Sequence, residues 1–416
     1  MTRPISPPPR KNPEARTISP TLPPEGRSRA AMGLSAAAAE GRFMLQACTE
    51  CGQVLYPARD ACNHCLSTAL DWRDVAPGGE LLAETTVRTS TNLYFRERAP
   101  WRVGTVKLDA GPVVICHIHG DVPARARVVM TNRLDRAGQG VLLAMPETPT
   151  PDMEDDPQLR AMTSDPKHRR VLLTDARNEN APAIAGALLA AGARVVFAGL
   201  SESWRPNPQA AALAALSGVE IVPLDVTDTA SVRELSGEIG GKVDILVNNA
   251  RFLRPGGAMA RGDTVFAAQE MAVNYLGLMR LAQAFGPGMC ARTADGVGNA
   301  VAWVNILSAY ALVPMPGMGG FSASQAAALS LSQTMRAEFR ASGLRVMTLF
   351  TGPTDDDWHQ PLPPPKLPPA AIARDLLRGL QQGLEDVFCG DVAQDLHERF
   401  RAGPKVLERE MTMGGL

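Results

Sequence analysis

Two hydrophobic rhythms divide the chain. From residue 169 onward, short apolar runs alternate with longer helical stretches. Residues 170–174, 193–198, 219–224, 243–248, 300–307, 344–350 and 386–389 read as buried strands. Strands alternating with helices predict a parallel, doubly wound α/β sheet of Rossmann-like type. Helices are expected over 182–191, with Pro182 in the first turn, and over 264–285 and 322–339. The last two carry apolar residues on more than one face, as deeply buried or interface helices do. A further helix is expected within 395–410. Before residue 148 the rhythm is shorter. Runs at 81–88, 101–108, 112–119, 127–130 and 141–144, separated by Gly and Pro, predict a small closed β-barrel.

The flanking segments complete a multidomain plan. Residues 1–30 are rich in Pro, Arg and Ser and are expected to be a disordered leader. A helix and a metal ribbon occupy 31–70, the barrel 71–147, and a Pro- and acid-rich linker 148–168. The α/β domain runs over 169–411, and 412–416 form a tail. The 416 residues carry a net charge of −1, so no global basic field favours nucleic acid. No apolar run approaches the ~18 residues of a membrane span. The N-terminal basic residues precede no apolar core, which excludes a secretory signal.

Four of the seven cysteines form two Cys-x-x-Cys knuckles, Cys48/Cys51 and Cys62/Cys65, ten residues apart. Each knuckle turns two thiolates toward one point, and two knuckles supply the tetrahedral soft-ligand set that suits structural Zn²⁺. Four Cys leave no open position for catalysis. Cysteines used in this way fit a reducing, cytoplasmic compartment better than a disulfide framework.

The helix, the four cysteines, Pro57-Ala-Arg59 and the strand run containing Lys107-Leu-Asp-Ala-Gly-Pro112 resemble a bacterial acyl-CoA-associated family. In that family a rubredoxin-like zinc ribbon precedes an OB-fold. The resemblance implies a domain that holds acyl-CoA and accompanies thiolase-type enzymes. An OB-fold can instead bind single-stranded nucleic acid on stacking aromatics. Tyr94, Phe95 and Trp101, among Arg96, Arg98 and Arg102, are the one candidate cluster.

The C-terminal part resembles the short-chain dehydrogenase/reductase family, with its chemistry altered. The family's glycine-rich phosphate loop corresponds to Thr174-Asp-Ala-Arg-Asn-Glu-Asn-Ala181, where Asp175, Glu179 and Ala181 stand in place of glycines. Carboxylates and side chains there disfavour a pyrophosphate at the helix start, so NAD(P) binding in the usual pose is not expected. Residues 198–201 offer neither an acid for a ribose diol nor an Arg for a 2′-phosphate. Asp225 matches the adenine-edge loop and could equally cap the helix near Thr229. Asn248-Asn-Ala250 matches a family motif, but Arg251 replaces its glycine.

Asn274 and Ser308 match the proton-relay Asn and the substrate-binding Ser. The family's Tyr and Lys positions hold Phe321 and Gln325. Phe321 has no proton to give, and Gln325 has no charge to tune one. Tyr310 and His359 are the possible substitutes, each expected on a loop surface, and Asp355-Asp-Asp357 is expected to be solvated.

The leading expectation is a fusion of the two families acting as a non-catalytic accessory subunit of a β-oxidation-like acyl-CoA assembly. The α/β half would pair, as a hetero-oligomer, with an active 3-hydroxyacyl-CoA dehydrogenase, and the zinc/OB half would dock a thiolase-type enzyme. An NAD(P)-dependent oxidoreductase with a displaced acid and a nucleic-acid-binding protein are the alternatives.

Overall fold

The computed structural model describes residues 1–8, 18–294 and 299–413. Part of the leader, residues 9–17, and the tail residues 414–416 lie outside them.

Helix α1 (Met32–Ala39) leads into a three-stranded antiparallel ribbon, β1 (Met44–Cys48), β2 (Val54–Leu55) and β3 (Leu70–Asp74), ordered β2-β1-β3. Five strands then close a barrel: β4 (Gly78–Val87), β5 (Trp101–Leu108), β6 (Val113–Ile118), β7 (Arg127–Leu134) and β8 (Gly140–Pro146). Their order is β4-β5-β6-β8-β7, with β7 returning to β4. Only the β6–β8 pair is parallel. Alternation along β7, where Val128, Met130, Asn132 and Leu134 are buried, supplies one wall of the interior. Helix α2 (Leu93–Glu97) follows β4. There Tyr94, Phe95 and Trp101 pack edge-to-face on one another, with Tyr94 and Trp101 buried. The aromatic cluster is therefore satellite core rather than a stacking platform.

The segment expected to be a linker is packed instead. It contains α3 (Pro157–Ala161), capped by the Asp156 side chain, and it buries Leu159, Met162 and Asp165. Its acidic residues have specific partners: Asp155 meets Lys167 at 2.6 Å, and Asp156 accepts the N–H groups of Gln158 and Leu159.

The third unit is a seven-stranded, all-parallel sheet. Its strands are β9 (Arg170–Leu173), β10 (Val195–Leu200), β11 (Val219–Pro223), β12 (Ile245–Asn248), β13 (Ala302–Ser308), β14 (Arg345–Thr351) and β15 (Asp386–Cys389). The order is β11-β10-β9-β12-β13-β14-β15. Helices α4 (Ala181–Ala190), α5 (Pro208–Ala214) and α10 (Pro369–Gln382) cover one face. Helices α6 (Thr229–Ile239), α8 (Leu278–Ala291) and α9 (Gly319–Phe339) cover the other. With both faces covered, the strands are apolar throughout, which is why they read as continuous runs. The switch in strand order between β9 and β12 opens a crevice at the carboxyl ends of the strands, where doubly wound folds bind ligands.

The helix expected over 264–285 is α7 (Val265–Met271) joined to α8 through a wide π turn, Ala272–Gly277. Asn274 lies in that turn. The chain ends in α11 (Gly390–Ala402) and α12 (Pro404–Thr412).

The barrel unit is seated on the α/β unit through directional contacts. Arg345 donates to the Leu134 carbonyl at 3.0 Å, Arg133 to the Gln382 carbonyl at 2.7 Å, and the Glu385 N–H to the Ala39 carbonyl at 2.9 Å. The leader, expected to be disordered, lies against both units where it is described. The Ile5 N–H donates to Asp155, Thr21 bonds Glu97 and Arg98 in the barrel unit, and Glu25 meets Arg340 of the α/β unit at 3.5 Å.

Candidate functional site: a filled corner beside an open cleft

The metal ribbon is the simpler site. The ligand atoms of Cys48, Cys51, Cys62 and Cys65 all lie within 4.8 Å of one another, with Cys48–Cys65 Sγ at 3.5 Å and Cys51–Cys62 Sγ at 3.6 Å. A tetrahedron with Zn–S bonds of about 2.3 Å sets its sulfurs slightly farther apart than those pairs. The His64 N–H points at Cys62 Sγ at 3.4 Å. With the Cys65 N–H it draws the Cys62 thiol down to about 6. Four thiolates this close need a cation between them, and the set fits Zn²⁺ with no open position. His64 contributes its backbone, not its ring.

In the α/β unit, the loop after β9 uses its own side chains where a phosphate would otherwise bind. The Arg177 N–H donates to Asp175 Oδ1, and the Asn180 N–H to Asn178 Oδ1, both at 2.9 Å. The Ala176 N–H meets the Gly199 carbonyl at 2.7 Å, and the Ala181 N–H the Asn178 carbonyl at 3.0 Å. Burial pushes the Asp175 carboxyl up to about 6 against the pull of the Arg177 amide. Thr174 Oγ1 donates to Asn248 Oδ1 at 2.9 Å, so Asn248 braces β12 to β9. Asp225 accepts the N–H of Thr227 in a local turn, and Asp228, not Asp225, caps α6. Beside this loop runs an open cleft of about 530 Å³ whose walls include Thr174, Asp175, Asp225, Arg254 and Trp358.

The corner where the family's chemistry would occur is filled. Ser308, Phe321, Arg251 and His359 line a space of about 10 Å³, room for about one water. Arg251, in the glycine position, reaches over the crevice. Its guanidinium meets Asp356 at 2.8 Å and Thr354 Oγ1 at 2.9 Å, and Glu179 lies 3.8 Å away. His359 Nδ1 lies 2.9 Å from both Asp356 oxygens. Burial opposes ionisation of Asp356, but His359, Arg251 and Thr354 outweigh it and hold the carboxyl well below the usual range. Asp356 is thus buried and paired, not solvated.

His359 is buried as well, at 2% exposure, because the loop after β14 turns Thr354, Asp356 and His359 inward. Tyr310, also expected at the surface, is buried among Phe321, Leu396 and Leu407. Its hydroxyl has no hydrogen-bond partner among the described residues, and burial pushes it up to about 12.

The matched residues now carry structural bonds. Gln325 Oε1 accepts the Ser308 N–H at 2.8 Å, tying α9 to the end of β13. Ser308 Oγ accepts the Tyr310 N–H at 3.2 Å. Asn274 spends both Nδ2 protons, on the Phe252 carbonyl at 2.9 Å and Ser324 Oγ at 2.8 Å, and its Oδ1 accepts the Phe252 N–H. Phe321 is fully buried.

Three family models match the chain: a short chain dehydrogenase over residues 170–366, the ChsH2 rubredoxin-like zinc ribbon domain over 35–71, and the ChsH2 C-terminal OB-fold domain over 72–132. The chain is a ChsH2-type zinc ribbon and OB-fold fused to a short-chain dehydrogenase domain. Among curated relatives, the short-chain dehydrogenase ptmH of Penicillium ochrochloron is 34% identical over 143 residues, covering 33% of this chain and 49% of that protein. An NADPH-dependent 1-acyldihydroxyacetone phosphate reductase of Schizosaccharomyces pombe is 33% identical over 141 residues, covering 33% and 45%. The chain thus spans about half the length of the curated relatives it matches. A short chain dehydrogenase from Burkholderia cenocepacia, solved in complex with NADP, superposes with a TM-score of 0.53 at 28% identity. It covers 58% of this chain and 97% of that one. The dehydrogenase model covers most of the α/β unit, while the ribbon and OB-fold models cover the four cysteines and most of the barrel.

Sequence reasoning singled out Arg251 but missed its partners. Asp356 lies 105 positions away, and nothing local marks its carboxylate as inward. The signal available was the joint appearance of an arginine in a glycine position and an Asp-x-x-His in the loop after β14.

Proposed function

We propose that this fusion is an accessory subunit of an acyl-CoA-handling assembly whose dehydrogenase domain no longer transfers hydride. One observation carries the reading: beside Phe321 and the Arg251–Asp356–His359 network the reaction corner has room for about one water. A general acid has been exchanged for a ring that only packs, a change that typically costs ~10² to 10⁴ in rate where chemistry persists. The self-bonded loop after β9 supports loss of the dinucleotide as well. In this reading the dehydrogenase domain pairs with an active 3-hydroxyacyl-CoA dehydrogenase, while the ribbon and barrel dock a thiolase-type enzyme. The linked halves would raise the effective concentration of each partner for the other.

A groove of about 280 Å³ between α1, the ribbon and the barrel supports an acyl-chain role. It is lined by Leu34, Leu45, Leu55, Tyr56, Trp72 and Ile115, an apolar set of the kind that takes a small-molecule chain.

The test has two arms. Titration of the full chain with NADH and NADPH is expected to give no saturable binding, and 3-hydroxyacyl-CoA with NAD⁺ or NADP⁺ no turnover. Purification from the native host is expected to bring a dehydrogenase and a thiolase-type subunit with it. Isolation as a lone homomer would end the accessory reading.

The position of His359 favours a second reading, an active oxidoreductase with a displaced acid. It is buried, braced by Asp356, and lines the same corner as Ser308. Dinucleotide-dependent turnover that disappears in His359→Asn would establish it in place of the first.

A further inference from the structure

The barrel, the packed segment 148–168 and the dehydrogenase domain line an open cavity of about 390 Å³. Its charge is one-sided. Among the described residues, Arg98, Arg136, Arg160, Arg169 and Arg345 line it, against the one carboxylate of Asp155. Asp155 is already committed to Lys167 at 2.6 Å and Arg160 at 3.5 Å, and Asp165 lies 3.4 Å from Arg160.

Arg98 pairs with Glu97 at 3.4 Å, and the remaining three guanidiniums hold neutral acceptors. Arg136 donates to the Thr293 carbonyl at 3.1 Å. Arg345 donates to the carbonyls of Thr163, Leu134 and Ala161. Arg169 donates to Asp165 and Asn299 carbonyl oxygens. Among the described residues, none of these three has a carboxylate at ion-pair distance, and Arg345 Nε is buried without an acceptor. Burial and mutual repulsion push Arg136 down to about 10 and Arg169 to about 9. Desolvated cations of one sign are costly unless an anion joins them, and arginine forks suit phosphate geometry.

The cavity also has an apolar wall, in Pro100, Trp101 and Pro157. Trp101 connects it to the ribbon groove, since its Nε1–H donates to Nδ1 of His117 at 2.8 Å and His117 lines that groove. Burial holds His117 down to about 4, so its ring is a neutral acceptor.

We propose that this interdomain cavity binds the phosphate groups of an anionic nucleotide ligand, the phosphorylated adenosine end of a coenzyme A thioester. The assignment of the thioester rests on the acyl-CoA reading above; the phosphate site does not. The fusion itself creates the site, because Arg98 and Arg136 come from the barrel unit and Arg169 and Arg345 from the dehydrogenase unit.

The experiment is calorimetric titration of the full chain with inorganic pyrophosphate, adenosine 3′,5′-bisphosphate and an acyl-CoA. The variants are Arg136→Gln and Arg98→Gln, with Arg233→Gln on the exposed face of α6 as control. Expected are saturable binding of all three ligands, about a tenfold weakening in Arg136→Gln for a lost charge-assisted pair, a smaller loss in Arg98→Gln, and no change in Arg233→Gln. Should Arg136→Gln fail to fold, Arg98→Gln, whose side chain is 26% exposed, carries the decision. Absence of pyrophosphate and bisphosphate binding, or binding indifferent to both arginines, overturns the site. Acyl-CoA binding unaffected by the arginines overturns the site while leaving the acyl-CoA reading standing. Arginine-dependent pyrophosphate binding without acyl-CoA binding keeps the phosphate site and ends the thioester assignment.

Discussion

The zinc knuckles keep all four cysteines of their motif, whereas the dehydrogenase corner holds Phe321 and Gln325 where its family has Tyr and Lys. At the knuckles all four ligands are present and close enough to share one ion. A shared metal ion neutralises them as thiolates, so the chemistry and the fold of the ribbon are tied together. In the corner, the positions where the dehydrogenase family carries its chemistry have packing or bracing contacts. Phe321 fills, Gln325 ties α9 to β13, Asn274 ties the π turn to residue 252, and Arg251 locks the loop after β14. A site whose ligand is its own structural support cannot drift without unfolding its domain. A site resting on a large pre-formed sheet can lose its reaction and keep its shape, because two hydrophobic layers hold the sheet independently.

The sharpest way to break this contrast is at the ribbon. Cys62→Ser should abolish stoichiometric zinc by elemental analysis. It should also unfold the ribbon, since structural zinc supplies on the order of 10 kcal/mol to such domains. Zinc retained at one per chain would show that the knuckles are not the holding element.

In the corner, Phe321→Ala should cost about 3–5 kcal/mol in denaturant unfolding of the α/β unit, as for other buried aromatic truncations. A cost near zero would mean that the ring is not core and the corner is open in solution.

Asp356→Ala comes next. Arg251 and His359 would lose their shared carboxylate, at a cost of about 2–3 kcal/mol, less than for a fully buried pair because Arg251 is 16% exposed. The sign with pH follows from a carboxyl held low in the folded state. Its contribution is full above the ordinary carboxylate range near ~4 and is lost as pH falls below it. The variant should therefore flatten the acid limb of the stability curve.

The smallest effect is at Asp175, whose folded carboxyl is raised to about 6. A raised group favours the fold at low pH, and that contribution is lost as pH rises through about 6. Asp175→Asn should leave stability at pH 4 nearly unchanged and add about 1 kcal/mol at pH 8, a modest figure for a group lining an open cleft. Equal effects at both pH values would show that the carboxyl is not desolvated.

Much of this was legible before any coordinates. Each of the seven strands, the barrel and the four ligands follow from local pattern: apolar runs bounded by helices, short strands between Gly and Pro, and thiols at a spacing that only a metal explains. The vacated positions Phe321, Gln325, Asp175, Glu179 and Arg251 were also legible, because a missing proton or an added carboxylate is a property of the residue itself.

What the tertiary structure decided was where the replacements go. His359, Asp356 and Tyr310 sit in a loop and a turn whose composition reads as surface. They are buried because chain distant in sequence closes over them: Arg251 after β12 for the first two, and α11 and α12 for Tyr310. Segment 148–168 reads as a spacer by its Pro and Asp content. It is packed because lysine, arginine and backbone N–H partners meet those acids. The arginine-lined cavity belongs to neither rhythm of the sequence. Its guanidiniums come from both units, and only the docking of barrel on sheet brings them to one space.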